Sequence, residues 1–227
     1  MQRRWHRAAL GALVLLAWLP PSVANGEVMA PEAFLGHSVG ADRQLARYDK
    51  VLEYLRIVAE ASDRVSIESI GRSTLDHEMV AVVLTSSRNQ ERLDEYRAVA
   101  RRLAAADELT ADEARALAAE GKAIVLVTCS IHSTEVGSTQ MTMELVHDFA
   151  TTRDPAKLSW MEDVILLLVP SINPDGQYLV IDWYNKYVGT EYEGGPMPWL
   201  YHHYVGHDNN RDFYMLTQRE SQAVNDL

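Results

Sequence analysis

His132 and Glu135 stand three residues apart in IHSTEVG, and farther along Asn210 and Arg211 stand side by side in GHDNNRDF. A neutral imidazole nitrogen and a carboxylate oxygen at that spacing can converge on one cation, and zinc takes N and O donors while its catalytic sites keep one position open. Residues 132–135 could instead open a helix, with Ser133 or Thr134 as the capping side chain and Glu135 in the positive first turn. Arg211 offers a planar fork of donors that matches a carboxylate with two charge-assisted hydrogen bonds, and the Asn210 amide adds a neutral donor beside it. The competing role for Arg211 is an ion pair with one of the chain's 32 acids.

Such chemistry needs elements that bring distant residues together. AIVLVTC, Ala123 to Cys129, is apolar on both alternating faces, which predicts a central strand covered by helices on both sides, and VILLLVP, Val164 to Pro170, repeats the pattern. Between them Met141, Leu145 and Phe149 mark one face of a helix, so the crossover is long enough for parallel pairing. Loops leaving the carboxyl ends of central strands form the ligand crevice of open α/β sheets; 132–137 is one such loop and 171–176 another. Asn173 to Gly176, NPDG, reads as a turn that shapes the cleft, with no catalytic part for Asp175.

Upstream, Leu45, Tyr48, Leu52, Leu55 and Val58 predict a helix within Arg43 to Ala61. RVSIESIG and MVAVVLTS predict a strand pair joined by a polar turn. NQERLDEYRAVARRLAAA and TADEARALAAEG predict two successive helices, the second with a Thr110–Glu113 capping box and a stop at Gly121. The fold class that follows is α/β, with a mixed, mostly parallel central sheet and helices on both faces.

Arg3, Arg4 and Arg7, the apolar run Ala8 to Leu19, and the small-residue site Ser22-Val23-Ala24 predict a signal peptide over 1–24, cut after Ala24, and a secreted or periplasmic protein. No stable membrane span is expected after that cut. A lead segment, 25–42, then precedes one domain over 43–227. The net charge of −11 becomes more acidic once the three arginines are removed, which excludes nucleic acid as a partner class. Cys129, the one cysteine, lies in an apolar run and is expected to be a buried, inert thiol.

Together and in this order, IHSTE, NPDG and NNRDF resemble the zinc metallocarboxypeptidase family related to carboxypeptidase A, and SIGRS, Ser69 to Ser73, resembles that family's entry strand. The resemblance runs from Arg43 to the end of the sequence. It implies a Zn2+ cofactor with His132 and Glu135 as the first two ligands, and Asn210 and Arg211 holding the terminal carboxylate of a peptide. Hydrolysis near a free C-terminus would follow, with zinc polarising the scissile carbonyl and a glutamate base activating water. The third ligand and that base are expected beyond Leu227, so the resemblance implies an N-terminal part of the catalytic domain, incomplete at the C-terminus. The family's oxyanion-steadying arginine has no match either, since Lys186 is the only Lys or Arg between Gly176 and Arg211. His202, His203 and His207 would be the substitutes in a site completed locally. A deacylase or amidohydrolase of small amino-acid conjugates, and a non-catalytic carboxylate-binding module, are the alternatives on this fold.

Overall fold

A computed structural model describes residues 28–227, so the expected leader lies outside the described residues. The elements in chain order are α1 (Pro31–Leu35), α2 (Tyr48–Ala61), β1 (Val65–Arg72), β2 (Glu78–Leu84), α3 (Ser87–Gln90), α4 (Leu93–Ala104), α5 (Ala111–Glu120), β3 (Ala123–Thr128), α6 (Gly137–Thr151), α7 (Pro155–Asp163), β4 (Val164–Val169), α8 (Pro174–Tyr187) and α9 (Arg219–Asn225). The α/β class and the β1–β2 hairpin stand as the sequence implied. The capping box does too: Thr110 accepts from the Glu113 N–H while Glu113 accepts from Thr110, which satisfies two otherwise orphaned donors of α5.

The strands form one sheet in the order β1-β2-β4-β3. It is only partly parallel. β1–β2 and β2–β4 run antiparallel, and β3–β4 alone is parallel, from Ala123 opposite Val164 to Thr128 opposite Val169. The hairpin turn delivers β2 to β4 reversed, which the mostly parallel expectation did not foresee. Among the described residues β4 lies between β2 and β3, so β3 has a neighbour on one side only, and Ile124, Val125 and Leu126 are each more than 40% exposed.

Helices do pack on both faces, because the apolar strands alternate. Val82, Leu84 and Leu168 point towards Val51, Leu55 and Val58 of α2 and Met143 and Val146 of α6. Val83 and Ile165 point the other way onto Tyr96 of α4, and Met79, Ala81 and Val169 meet Val224 of α9. Each such fully buried aliphatic side chain contributes about 1.5–3 kcal/mol. On α6 the expected face is corrected in part: Leu145 and Phe149 pack on the core, but Met141 is exposed and Thr139, Gln140 and Thr142 are buried instead. Those polar groups have partners, since Thr139 donates to the Pro170 carbonyl at 2.8 Å and Gln140 accepts from the Ala46 N–H at 2.8 Å.

Candidate functional site

β3 and β4 end side by side, and their carboxyl-end loops are bonded to each other. The Ile172 N–H donates to the Cys129 carbonyl at 2.9 Å. Ser130 follows with φ of +50°, a left-handed conformation that turns the chain out of the strand. Two contacts hold it there, its N–H donating to Ser138 Oγ at 3.2 Å and its hydroxyl to the Glu135 carbonyl at 3.2 Å, and within the loop the Glu135 N–H closes onto the His132 carbonyl at 2.9 Å. The helix that follows starts at Gly137 with Val136 at its N-cap and no side-chain cap. Ser133 and Thr134 therefore do not play the capping role.

NPDG is not a free turn but the start of α8. Asn173 is the N-cap, accepting from the Gly176 N–H at 2.9 Å, and Ser133, fully buried, donates to the Asn173 carbonyl at 3.0 Å. A Cβ on Gly176 would lie 2.3 Å from Ser133 Oγ and 2.8 Å from Asn173 Nδ2, so only glycine lets α8 approach the 130–136 loop this closely. Gly176→Ala is expected to cost about 1–3 kcal/mol in denaturant unfolding by overpacking. Gly137→Ala, whose Cβ would meet nothing within 4 Å, is the matched control, expected within about 0.5 kcal/mol of the parent.

His132 and Glu135 face each other, with Nδ1 and Oε1 3.4 Å apart. A tetrahedral zinc with bonds of ~2.0–2.1 Å places two N and O ligand atoms about 3.3–3.4 Å apart, so the pair has the bite of one ion. The other ring nitrogen is engaged: His132 Nε2 lies 3.0 Å from Asp208 Oδ1. With the Nε2 proton donated to Asp208, Nδ1 presents its lone pair on the Glu135 side. The Asp208 hydrogen bond holds the imidazole above its ordinary pKa. Asp208 is in turn held low, by the Asn210 N–H first and by His132 second. Asp208→Asn, which keeps the capping oxygen and loses the charge, is expected to weaken zinc binding by roughly 10- to 100-fold in competition with a chelator, without a change in unfolding midpoint. Among the described residues, no third His, Cys, Asp or Glu joins the pair in a metal-holding group.

Asn210 and Arg211 lie on a short 3-10 helix, Asn209–Arg211. Its first residue anchors it, with Asn209 Nδ2 donating to the Ile131 carbonyl at 2.6 Å, immediately before His132. Its far end is tied by Asp212, fully buried. Burial pushes that carboxylate up, but donors from Ser221, Thr217, the Gln218 N–H and His207 outweigh it and hold the group well below the usual range. Arg211 is exposed and has no ion pair among the described residues, its one polar contact being the Asn210 carbonyl at 3.5 Å. The ion-pair role is thus absent. The competing histidines do not join the His132–Glu135 pair in a metal-holding group among the described residues: His207 bonds Asp212 at 3.0 Å, His203 is exposed, and His202 is buried with Nδ1 unpartnered among the described residues.

Asp175 is buried and structural. It accepts from Ser73, the Leu75 N–H at 2.9 Å, His77 at 2.7 Å and Tyr204 at 3.0 Å, clamping the β1–β2 turn to α8. Sequence reasoning missed Asp208 and Tyr201, whose ring centroid lies 6.2 Å from that of His132. For Asp208 the signal was available, a carboxylate two residues before the Asn-Arg pair; for Tyr201 none was.

Solved structures similar to the chain include carboxypeptidase A from Helicoverpa armigera, with 13% identity over 86% of this chain and 47% of that one at a TM-score of 0.49. A metallo-carboxypeptidase from Burkholderia cenocepacia shares 17% identity over 80% of this chain and 37% of its own, at a TM-score of 0.48. The chain spans less than half the length of the solved carboxypeptidases it matches. No curated protein matches it. A family model described as zinc carboxypeptidase matches residues 51–226, which include the 130–136 loop, the start of α8 and the Asn-Arg pair, and the chain belongs to the zinc carboxypeptidase family.

Proposed function

We propose that the complete protein is a zinc-dependent carboxypeptidase that removes residues from the free C-terminus of peptides, with His132 and Glu135 as two zinc ligands and the third ligand and general base contributed from beyond Leu227. The observation that carries this is the 3.4 Å separation of His132 Nδ1 and Glu135 Oε1, with Nε2 held by Asp208. Bound zinc supplies a Lewis acid for the scissile carbonyl. This chain's own residues supply orientation. Asp208, which fixes the His132 ring, and Arg211, which takes the carboxylate, sit three residues apart on one anchored segment. The distance from terminal carboxylate to reacting carbonyl is therefore set by a short rigid piece of backbone, which favours the last peptide bond over internal ones.

The test measures zinc content and turnover of free-acid peptides, amidated peptides and N-acyl amino acids by the complete protein. Zinc with turnover of free-acid peptides alone supports the reading. Preference for N-acyl amino acids would make it a deacylase, and neither zinc nor turnover would make it a binding module. Residues 1–24 direct export in this proposal, so intact-mass measurement of exported protein is expected to show an N-terminus at Asn25. A mature product that begins at Met1 would contradict it.

A further inference from the structure

A recess of about 560 Å³ opens beside the 130–136 loop, which contributes Thr134 and Val136 to its lining. Its floor is one face of α8, where Val180, Trp183, Tyr184 and Tyr187 recur at helical spacing. Its far wall is Gly194 to Met197, and its near wall is Thr134 and Val136, the two neighbours of Glu135. None of residues 207–213 lines it. Those residues meet the loop at its other end, through Asn209 to Ile131 and Asp208 to His132.

The walls are braced as a binding site would need. Trp183 Nε1 donates to the Gly195 carbonyl at 3.2 Å, and its ring meets that of Tyr187 at 4.7 Å. Gly194 has φ of +73°, and a Cβ on Gly195 would come 3.0 Å from the Tyr192 carbonyl, so this wall is a tight turn that glycine alone permits. At the rim the Arg43 guanidinium grips the Glu193 carboxylate, with Nε 2.8 Å from Oε1, and the Gly189 N–H and Tyr184 hydroxyl donate to the same group. The Arg43–Glu193 ion pair is internally neutralised, and the rest of the lining is mostly aromatic and aliphatic, with Thr134 the one other non-aromatic polar side chain.

We infer that this recess binds an apolar, preferentially aromatic side chain of the substrate, on the amino side of the scissile bond. The inference rests on the peptidase reading: Asp208 and Asn209, on the segment that carries Arg211, meet the loop at His132 and Ile131, while Thr134 and Val136 line the recess, so in that reading a peptide clamped by Arg211 runs on past Glu135 towards the recess. The volume falls within the range of small-ligand pockets, and aromatic side chains draw most from such a site because each buries ~150–250 Å². It is a second grip, independent of the carboxylate clamp, and it sets a preference that the clamp cannot.

The experiment uses the complete protein and free-acid peptides that differ only in Trp, Phe or Gly at the second and third residues on the amino side of the cleaved bond. The aromatic peptides are expected to be favoured about 10- to 100-fold in kcat/KM, mostly through KM. In Trp183→Ala that ratio should fall towards unity, and Trp183→Phe should restore most of it. Met197→Trp, which fills the recess from its far wall, should also abolish the preference, and it keeps the test open if Trp183→Ala folds poorly. In parallel, amidated peptides that carry benzoylphenylalanine at those positions are photocrosslinked and the adducts mapped; adducts at Met197 or on Val180 to Tyr187 are expected. Turnover without aromatic preference, with adducts elsewhere, overturns the recess and leaves the peptidase reading intact. Adducts in the recess without any turnover sustain the recess as a peptide site and overturn the peptidase reading. Neither turnover nor adducts overturns both.

Discussion

His132→Ala is expected to strip the complete protein of zinc and to lower peptide turnover by roughly 10³-fold or more, since a Lewis acid supplies several kcal/mol of transition-state charge stabilisation. The structure explains why the loss should be local. The imidazole is partly exposed, with a side chain 25% accessible, and its two polar partners, Glu135 and Asp208, are more exposed still. Removing it leaves no buried charge behind. The unfolding midpoint in the absence of metal should therefore stay near the parent's, because surface substitutions of this kind usually shift stability by less than about 0.5 kcal/mol. A variant that keeps full zinc content and turnover would remove His132 from the site.

The second large effect is expected at Arg211. Arg211→Ala should lower kcat/KM for free-acid peptides by roughly 10²- to 10³-fold, the usual cost of truncating one partner of a hydrogen-bonded charge pair. Arg211→Lys keeps the charge and loses the planar fork, so it should recover only part of that loss. Amidated peptides, which have no carboxylate to offer, should be poor substrates for the parent and change little in either variant. The guanidinium already projects from its 3-10 helix without an ion pair among the described residues, so no fold-supporting contact is lost with it. Equal cleavage of amidated and free-acid peptides by the parent would refute the clamp.

Local patterns were legible in the sequence. The β1–β2 hairpin and the Thr110–Glu113 box are written in neighbouring residues, and the structure contains both. α7 was not legible, because only Met161 of its nine residues is buried and no apolar stripe marks it. The core face of α6 was legible only in part: Leu145 and Phe149 pack on the core, but Thr139 and Gln140 are buried through bonds to Pro170 and Ala46, which are 31 and 94 residues away. For β3, an apolar run announces a parallel ladder but does not say which strand lies inboard. The order followed from how β4 pairs with β2. At the site, the His132–Glu135 pair could be named from spacing and resemblance, whereas the Asp208–His132 bond joins residues 76 apart and depends on how Asn209 docks on Ile131.

The most direct test is a crystal structure of the complete protein with anomalous diffraction recorded across the zinc absorption edge. The account expects one zinc ion, with His132 Nδ1 and a Glu135 carboxylate oxygen among its ligands at ~2.0–2.2 Å, and Asp208 still bonded to His132 Nε2. An ion held through Nε2 after Asp208 has swung away, an ion held by His202, His203 or His207 without Glu135, or no anomalous peak beside the 130–136 loop would contradict it.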